Sequence, residues 1–138
     1  MKNTIIYFFI FLSFFCKDDK LFVEGLLKTY KINQEIEFII FNNYNQKKYY
    51  YISIEYYQNN QWRELINDVD NPQSNSSLIK IIKSKNKIKT SISTKKIFYL
   101  ENFLIFEKYR IKISYGNSIN NLNKCYISDS FIILSRYN

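Results

Sequence analysis

The sequence predicts an all-β protein, an antiparallel sandwich of about seven to eight strands preceded by an N-terminal signal helix. Three observations predict this fold. Apolar and polar residues alternate with a period of two, most clearly in residues 106–115, FEKYRIKISY, as in a half-buried strand. Polar turn segments recur roughly every 8–12 residues, and no amphipathic helical pattern interrupts them. The 46% apolar and 19% aromatic fractions provide enough side chains for one core.

The first fifteen residues, MKNTIIYFFIFLSFF, are almost wholly apolar after Lys2. A dozen helical residues span about 18 Å, whereas the hydrocarbon core of a bilayer is about 30 Å thick. The segment 1–15 is therefore predicted to be a signal peptide rather than a membrane-spanning helix. Cys16 and the charged run Lys17–Lys20 end it.

Cys16 resembles the lipid-attachment cysteine of bacterial lipoproteins, and the start Cys-Lys-Asp-Asp resembles the export tags of surface lipoproteins in the Bacteroidetes. The resemblance implies cleavage before Cys16, acylation of its thiol, and a short tether over residues 16–20. It also implies a cell-envelope address, at the outer membrane or cell surface of a Gram-negative bacterium. The chain has Phe15 where the family has a small residue. The alternatives are a periplasmic, secreted or membrane-tethered protein, and a cytoplasmic protein with a buried N-terminal strand.

The first half of the mature chain reads as four strands. Residues 21–30 form the first, interrupted at Gly25 by a bulge or a switch between sheets. Residues 35–42 form the second, and residues 62–66 return as a hairpin partner of the third, residues 48–57. In that third strand the inward side chains are expected to be Tyr50, Ile52, Ile54 and Tyr56, and the outward ones Tyr49, Tyr51, Ser53, Glu55 and Tyr57.

The second half begins with the loop 67–77, whose Asp68 and Asp70 do not match a calcium-binding loop. Residues 78–83 and 88–94 are expected to be edge strands protected by lysines. Residues 97–106 fit either a strand or a helical turn. After the strand of residues 106–115 comes the loop 116–124, and residues 125–134 close the domain as a last strand with a kink near Asp129.

The strand order resembles that of bacterial immunoglobulin-like domains. The matching features are the early strand EIEFIIFNN, Trp62 after the third strand, the late strand YRIKISY and the terminal YISDSFIIL. Tyr109 occupies a position where such sandwiches keep a corner tyrosine. The resemblance implies an immunoglobulin-like domain over residues 21–138, without the paired cysteines of antibody domains, and a tendency towards adhesion or interaction roles.

Several chemistries are excluded by composition. The chain has no histidine, two cysteines and two glycines, Gly25 and Gly116, which removes histidine-based catalysis, zinc sites of histidines or four cysteines, and glycine-rich phosphate loops. The spacing of the carboxylates indicates no glycosidase pair. We therefore expect no enzyme, no cofactor and no metal. Cys125 is expected to be a small buried residue, the alternative being a disulfide with Cys16.

The formal net charge is +8, and most lysines are expected on solvated faces. The candidate binding face is the basic side of the strand that carries Lys108, Arg110 and Lys112. Two functions follow. One is a lipid-anchored, non-catalytic binding or structural module; the other is a secreted or periplasmic inhibitor-type protein that uses this basic face against an acidic protein or an anionic glycan. Nucleic acid is not an expected partner outside the cytoplasm. The outward tyrosines could stack on sugars, but cross-strand packing is favoured for them, and sheet packing for Trp62.

Overall fold

The computed structural model describes residues 20–65, 78–95, 97 and 108–134. The predicted signal peptide, residues 16–19, the loop 67–77 and most of the ambiguous segment 97–106 lie outside the described residues. The strands are β1 (Leu21–Glu24), β2 (Thr29–Lys31), β3 (Glu35–Asn42), β4 (Lys48–Gln58), β5 (Gln61–Glu64), β6 (Lys80–Ile82), β7 (Asn86–Ser93), β8 (Tyr109–Gly116), β9 (Lys124–Ile127) and β10 (Ile132–Leu134).

Two antiparallel sheets form the sandwich. One has the strand order β1-β3-β7, and the other has the order β5-β4-β8-β9, with β6 also paired to β4. The longest ladders are β3 with β7 and β4 with β8. The order corresponds to strands A, B and E of an immunoglobulin domain facing strands C′, C, F and G. The predicted all-β, antiparallel, immunoglobulin-like fold is therefore confirmed.

The core lies between the sheets and follows the alternation of the sequence. In β8 the inward residues Tyr109, Ile111, Ile113 and Tyr115 are buried, as a period of two requires of a central strand. In β3 the buried positions are Ile36, Phe38 and Ile40. These side chains meet across the interior of the sandwich, so their burial is the main stabilising term of the fold.

Gly25 divides the predicted first strand into two strands that join different partners. β1 pairs antiparallel with β3, whereas β2 pairs in parallel with β10. Gly25 lies between them with φ at +90°, a backbone conformation that strains any side-chain-bearing residue. The predicted interruption is thus confirmed as a switch between sheets.

The predicted last strand is also two strands, broken next to the expected kink. The Ser128 hydroxyl accepts a hydrogen bond from the backbone N–H of Ile111 at 2.9 Å. The backbone N–H of Ser128 donates to the Ile111 carbonyl, also at 2.9 Å. Beyond this contact Phe131 exchanges two backbone hydrogen bonds with Tyr109 of β8, each at 2.8 Å, and β10 then joins β2. A side chain that occupies a ladder hydrogen bond interrupts the regular pairing there.

The turns use asparagine and lysine in place of glycine. The β4–β5 hairpin closes through Asn59 and Asn60, both with positive φ, the backbone of a two-residue type I′ turn. Lys85 has positive φ in the connection between β6 and β7. Those two strands belong to different sheets, and β7 is the edge strand that the sequence predicted.

Three residues differ in burial from the expectation. Ser53 and Glu55 lie on the outward side of β4, as predicted, but they are only 1% and 7% exposed, and Glu55 is covered by the basic side chains that it pairs with. Cys125, expected to be buried, is exposed and free of any disulfide with a described residue. The ladder places Cys125 opposite Ser114, on the side of β9 that points away from the core.

Candidate functional site

The predicted binding residues Lys108, Arg110 and Lys112 lie on or next to β8, on the outer face of the five-stranded sheet. The register places Glu55 of β4 opposite Arg110 and opposite Glu64 of β5. Arg110 Nε lies 2.6 Å from one Glu55 oxygen, and Lys112 Nζ lies 3.5 Å from the other and 3.8 Å from Glu64. Two of the three predicted residues are therefore held in an internal ion-pair network, while Lys108 is exposed.

Trp62 extends this network. The Arg110 guanidinium lies 4.1 Å from the centre of the Trp62 ring, and the Tyr57 ring packs against the same indole at 5.2 Å between centres. Both aromatic residues are half-buried. Trp62 therefore packs on the sheet, as predicted, and its ring face is occupied by an arginine rather than open to a ligand.

Ser53 is the unsatisfied polar group of this face. Its hydroxyl is buried without a hydrogen-bond partner, and among the described residues Thr94 shares this condition. Ser53 lies opposite Lys112 in the β4–β8 ladder. A buried hydroxyl without a partner costs stability.

A second cluster lies at one end of the sandwich and was not predicted. Four connected segments form it: the chain before β1 at Lys20 and the loops 43–47, 83–85 and 117–123. We call this region the lysine end. Backbone hydrogen bonds join its segments, from Asn43 N–H to the Lys20 carbonyl at 2.9 Å and from Lys85 N–H to the Tyr44 carbonyl at 3.1 Å.

Tyr44 is the centre of the lysine end. Lys48 Nζ lies 4.0 Å from the centre of its ring, and Lys124 Nζ lies 5.3 Å from it. Its hydroxyl is 3.4 Å from the Tyr115 hydroxyl. Lys48 is 5% exposed and donates to Asn117 Oδ1 at 2.5 Å. The site therefore holds two ammonium groups around one aromatic ring, and one of those groups is buried.

Asn42 holds two loops of the lysine end in place. Its amide nitrogen donates to the carbonyls of Gln46 and Lys83, each at 2.9 Å, and its Oδ1 accepts from Tyr44 N–H at 3.1 Å. This fully buried side chain uses its polar atoms on backbone groups. Buried amides satisfied in this way fix loop geometry.

Gly116 lets the third loop fold back over the end of β8. A Cβ at this position would overlap the carbonyl oxygen of Asn121. Because the obstacle is backbone, no side-chain rotation relieves it. The close return of residues 117–123 brings Asn117 to Lys48.

Charge is distributed unevenly between the two ends of the sandwich. The lysine end carries Lys20, Lys47, Lys48, Lys83, Lys85, Lys87 and Lys124. The acidic residues of the described part of the chain lie elsewhere, in the middle of strands or towards the opposite end of the sandwich. They are Glu24, Glu35, Glu37, Glu55, Glu64 and Asp129. Within the described residues, the lysine end is therefore a basic surface without a compensating acidic side chain.

Burial raises the pKa of the Tyr115 hydroxyl above its ordinary value, and the neighbouring Tyr44 hydroxyl raises it further. Burial also raises the pKa of Tyr30, opposed by the Leu27 N–H that donates to its hydroxyl at 2.8 Å, and the pKa of Tyr50. These phenols stay neutral where a solvated tyrosine ionises.

Carboxylates come together at one shallow depression of about 410 Å³, which Glu35 and Glu37 border together with Tyr30 and Gln34. Glu37 is exposed and pairs with the exposed Lys89 at 3.1 Å. Glu35 is exposed as well, whereas the general acid of a glycoside hydrolase lies in an apolar pocket.

Among the described residues, His, Cys, Asp and Glu side chains form no group of three that could hold a metal ion. No helix within the described part of the chain is long and apolar enough to cross a membrane.

No protein-family model and no curated protein matches the chain. Among solved structures, a β-glucosidase from Listeria innocua in complex with glucose aligns with a TM-score of 0.48 and 8% identity, over 83% of this chain and 16% of that chain. A chaperone–tip adhesion subunit pre-assembly complex of the archaic chaperone-usher Csu pili of Acinetobacter baumannii gives a TM-score of 0.48 and 10% identity, over 84% of this chain and 51% of that chain. Likenesses this distant carry no argument about function.

Proposed function

We propose that the protein is a cell-envelope lipoprotein, anchored through Cys16 and carrying a non-catalytic immunoglobulin-like binding or structural module. One observation carries this proposal: the apolar run of residues 1–15 is followed directly by Cys16 and the charged residues Lys17–Lys20. The domain that such a leader and cysteine would anchor has a buried apolar core, which in the described part of the chain extends from Leu21 to Ile133.

The attachment of the sandwich to its tether supports the same proposal. Lys20 is bonded to the fold through Asn43, and it lies four residues beyond Cys16. The residues between them form a short hydrophilic link from a lipidated cysteine to the first strand. The start Cys-Lys-Asp-Asp favours the outer membrane or cell surface of a Gram-negative bacterium as the location.

Intact mass of the protein extracted from membranes tests the anchor. We expect a mass that lacks residues 1–15 and carries added acyl groups on Cys16. Cys16→Ser should abolish acylation, whereas the control Cys125→Ser should leave it unchanged. A mature mass without acyl groups would exclude the lipid anchor.

The alternative is a secreted or periplasmic inhibitor-type protein that binds an acidic partner through Lys108, Arg110 and Lys112. The ion pairs of Arg110 and Lys112 with Glu55 weaken its support, because a partner must compete with an internal carboxylate. Charge reversal at the three positions should abolish retention on an acidic resin if this face binds. Unchanged retention would eliminate the alternative.

A further inference from the structure

We propose that the lysine end docks on the anionic surface of the bilayer to which the chain is anchored. This inference rests on the proposed attachment at Cys16. It goes beyond that attachment because it assigns an orientation to the domain and a ligand, anionic lipid headgroups, to a defined surface.

The length of the tether places this surface close to the membrane. Lys20 is the fourth residue after Cys16, and a fully extended chain of four residues spans about 14 Å. Lys20 is bonded directly to Asn43 in the first loop of the lysine end. A tether this short allows the loops to approach the bilayer to within about 8 Å, the distance over which charges attract at physiological salt.

The charge of the surface matches that of an anionic leaflet. Six lysines of this end are exposed in the loops and at the strand ends, namely Lys20, Lys47, Lys83, Lys85, Lys87 and Lys124. Apart from Lys20, the tether adds Lys17, Asp18 and Asp19 with a net charge of −1, which leaves the charge of this end positive. A lysine near an anionic leaflet contributes a factor of about five to association.

Two exposed apolar side chains adjoin the lysines. Ile119 in the loop 117–123 is 44% exposed, and Ile81, two residues before the loop 83–85, is 52% exposed. Surfaces that combine lysines with exposed apolar groups bind at the boundary between headgroups and acyl chains. The lysine end therefore has the composition of a membrane-contacting surface, whereas the acidic groups described above lie away from it.

Docking is measured on the anchored full-length protein in vesicles. The thiol of Cys125 is exposed and adjoins Lys124, so a fluorophore on it reports distance to an acceptor lipid in the bilayer. Vesicles of phosphatidylcholine alone are compared with vesicles that also contain phosphatidylglycerol. We expect stronger energy transfer in the anionic vesicles, and loss of the difference at high salt.

Two triple charge-reversal variants, one at the lysine end and one away from it, test whether this surface binds the membrane. The variant Lys47→Glu, Lys83→Glu, Lys87→Glu should lower the docking equilibrium at least about a hundredfold, from three factors of about five. The control Lys28→Glu, Lys31→Glu, Lys95→Glu changes the net charge equally, away from the lysine end, and should dock like the parent chain. Urea denaturation of both variants confirms that they fold.

The outcomes separate the two proposals. Docking would be overturned, with the anchor left intact, by equal energy transfer in neutral and anionic vesicles. An equal loss of energy transfer in the lysine-end variant and in its control would overturn docking as well. Failure of the chain to float with neutral vesicles would overturn the anchor; salt-sensitive flotation with anionic vesicles would then still support docking. Binding of soluble heparin through the lysine end, without any response to anionic vesicles, would assign the surface to a soluble glycan and overturn docking.

Discussion

The ammonium group of Lys48 lies 4.0 Å from the centre of the Tyr44 ring, in a site where Lys48 is only 5% exposed. Its hydrogen-bond acceptor among the described residues is the amide oxygen of Asn117. Buried cations are normally paired with carboxylates. Here the face of an aromatic ring and one amide replace the carboxylate, which leaves the lysine end positively charged as a whole.

This arrangement predicts that Asn117→Ala lowers the free energy of unfolding by about 1–3 kcal/mol, because a buried ammonium loses its acceptor. Asn123→Ala is the matched control, an exposed residue of the same loop, and should change stability by less than about 0.5 kcal/mol. Urea denaturation measures both values. Equal effects would show that Lys48 does not depend on Asn117.

Glu55 is predicted to contribute far more to stability than Glu37, although both form ion pairs. Glu55→Ala should cost about 2–4 kcal/mol, because the Glu55 side chain is only 9% exposed and its carboxylate neutralises both Arg110 and Lys112. Glu37→Ala breaks only the exposed pair with Lys89 and should cost about 0–1 kcal/mol. Similar denaturant midpoints for the two variants would contradict the network.

Two buried serines are predicted to respond differently to substitution by alanine. Ser53→Ala removes an unsatisfied hydroxyl and should leave stability unchanged or raise it by about 1 kcal/mol. Ser128→Ala leaves the N–H of Ile111 without its side-chain acceptor and should cost about 1–3 kcal/mol. Thermal denaturation distinguishes them, and destabilisation by Ser53→Ala would mean that its hydroxyl has a partner.

Stability is predicted to fall in alkaline solution. The pKa of Tyr115 is raised above the unfolded value of 10.0 by burial and by Tyr44, so the unfolded chain loses this proton first. The contribution is fully present below about pH 10 and is lost as pH rises towards the folded pKa. Tyr115→Phe should flatten the decline above pH 10, measured by urea denaturation at a series of pH values. A decline parallel to that of the parent chain would show that Tyr115 does not ionise on unfolding.

The direction of the side chains in the strands could be predicted from the sequence. The charge network on the outer face of the five-stranded sheet could be predicted only in part. Alternation identified Lys108, Arg110 and Lys112 as one surface, because side-chain direction in a strand is a local property. Their carboxylate partner, Glu55, is far away in sequence, and the register of β4 against β8 decides which basic group it meets. The same register decided that Cys125 faces outward.

The sequence contains a signal for the lysine end, namely three long stretches without acidic residues, which the overall composition does not reveal. Residues 38–54, 71–100 and 108–128 contain no aspartate or glutamate. The middle of each stretch is one of the three loops that meet at this end. Recognising the cluster requires knowing that these loops are neighbours, and that follows only from the pairing of β3, β4, β6, β7 and β8.

The sequence by itself determined the all-β class, the inward faces of β3 and β8, the break at Gly25 and the protected edge strand β7, because each depends on residues that are adjacent or nearly adjacent along the chain. The tertiary structure alone decided which charges meet, with Glu55 joined to Arg110 and Lys112 and with Lys48 and Lys124 gathered around Tyr44. The physical reason is that electrostatic and aromatic contacts depend on distances of a few ångströms between segments far apart in the chain, and those distances are set by strand register and sheet packing.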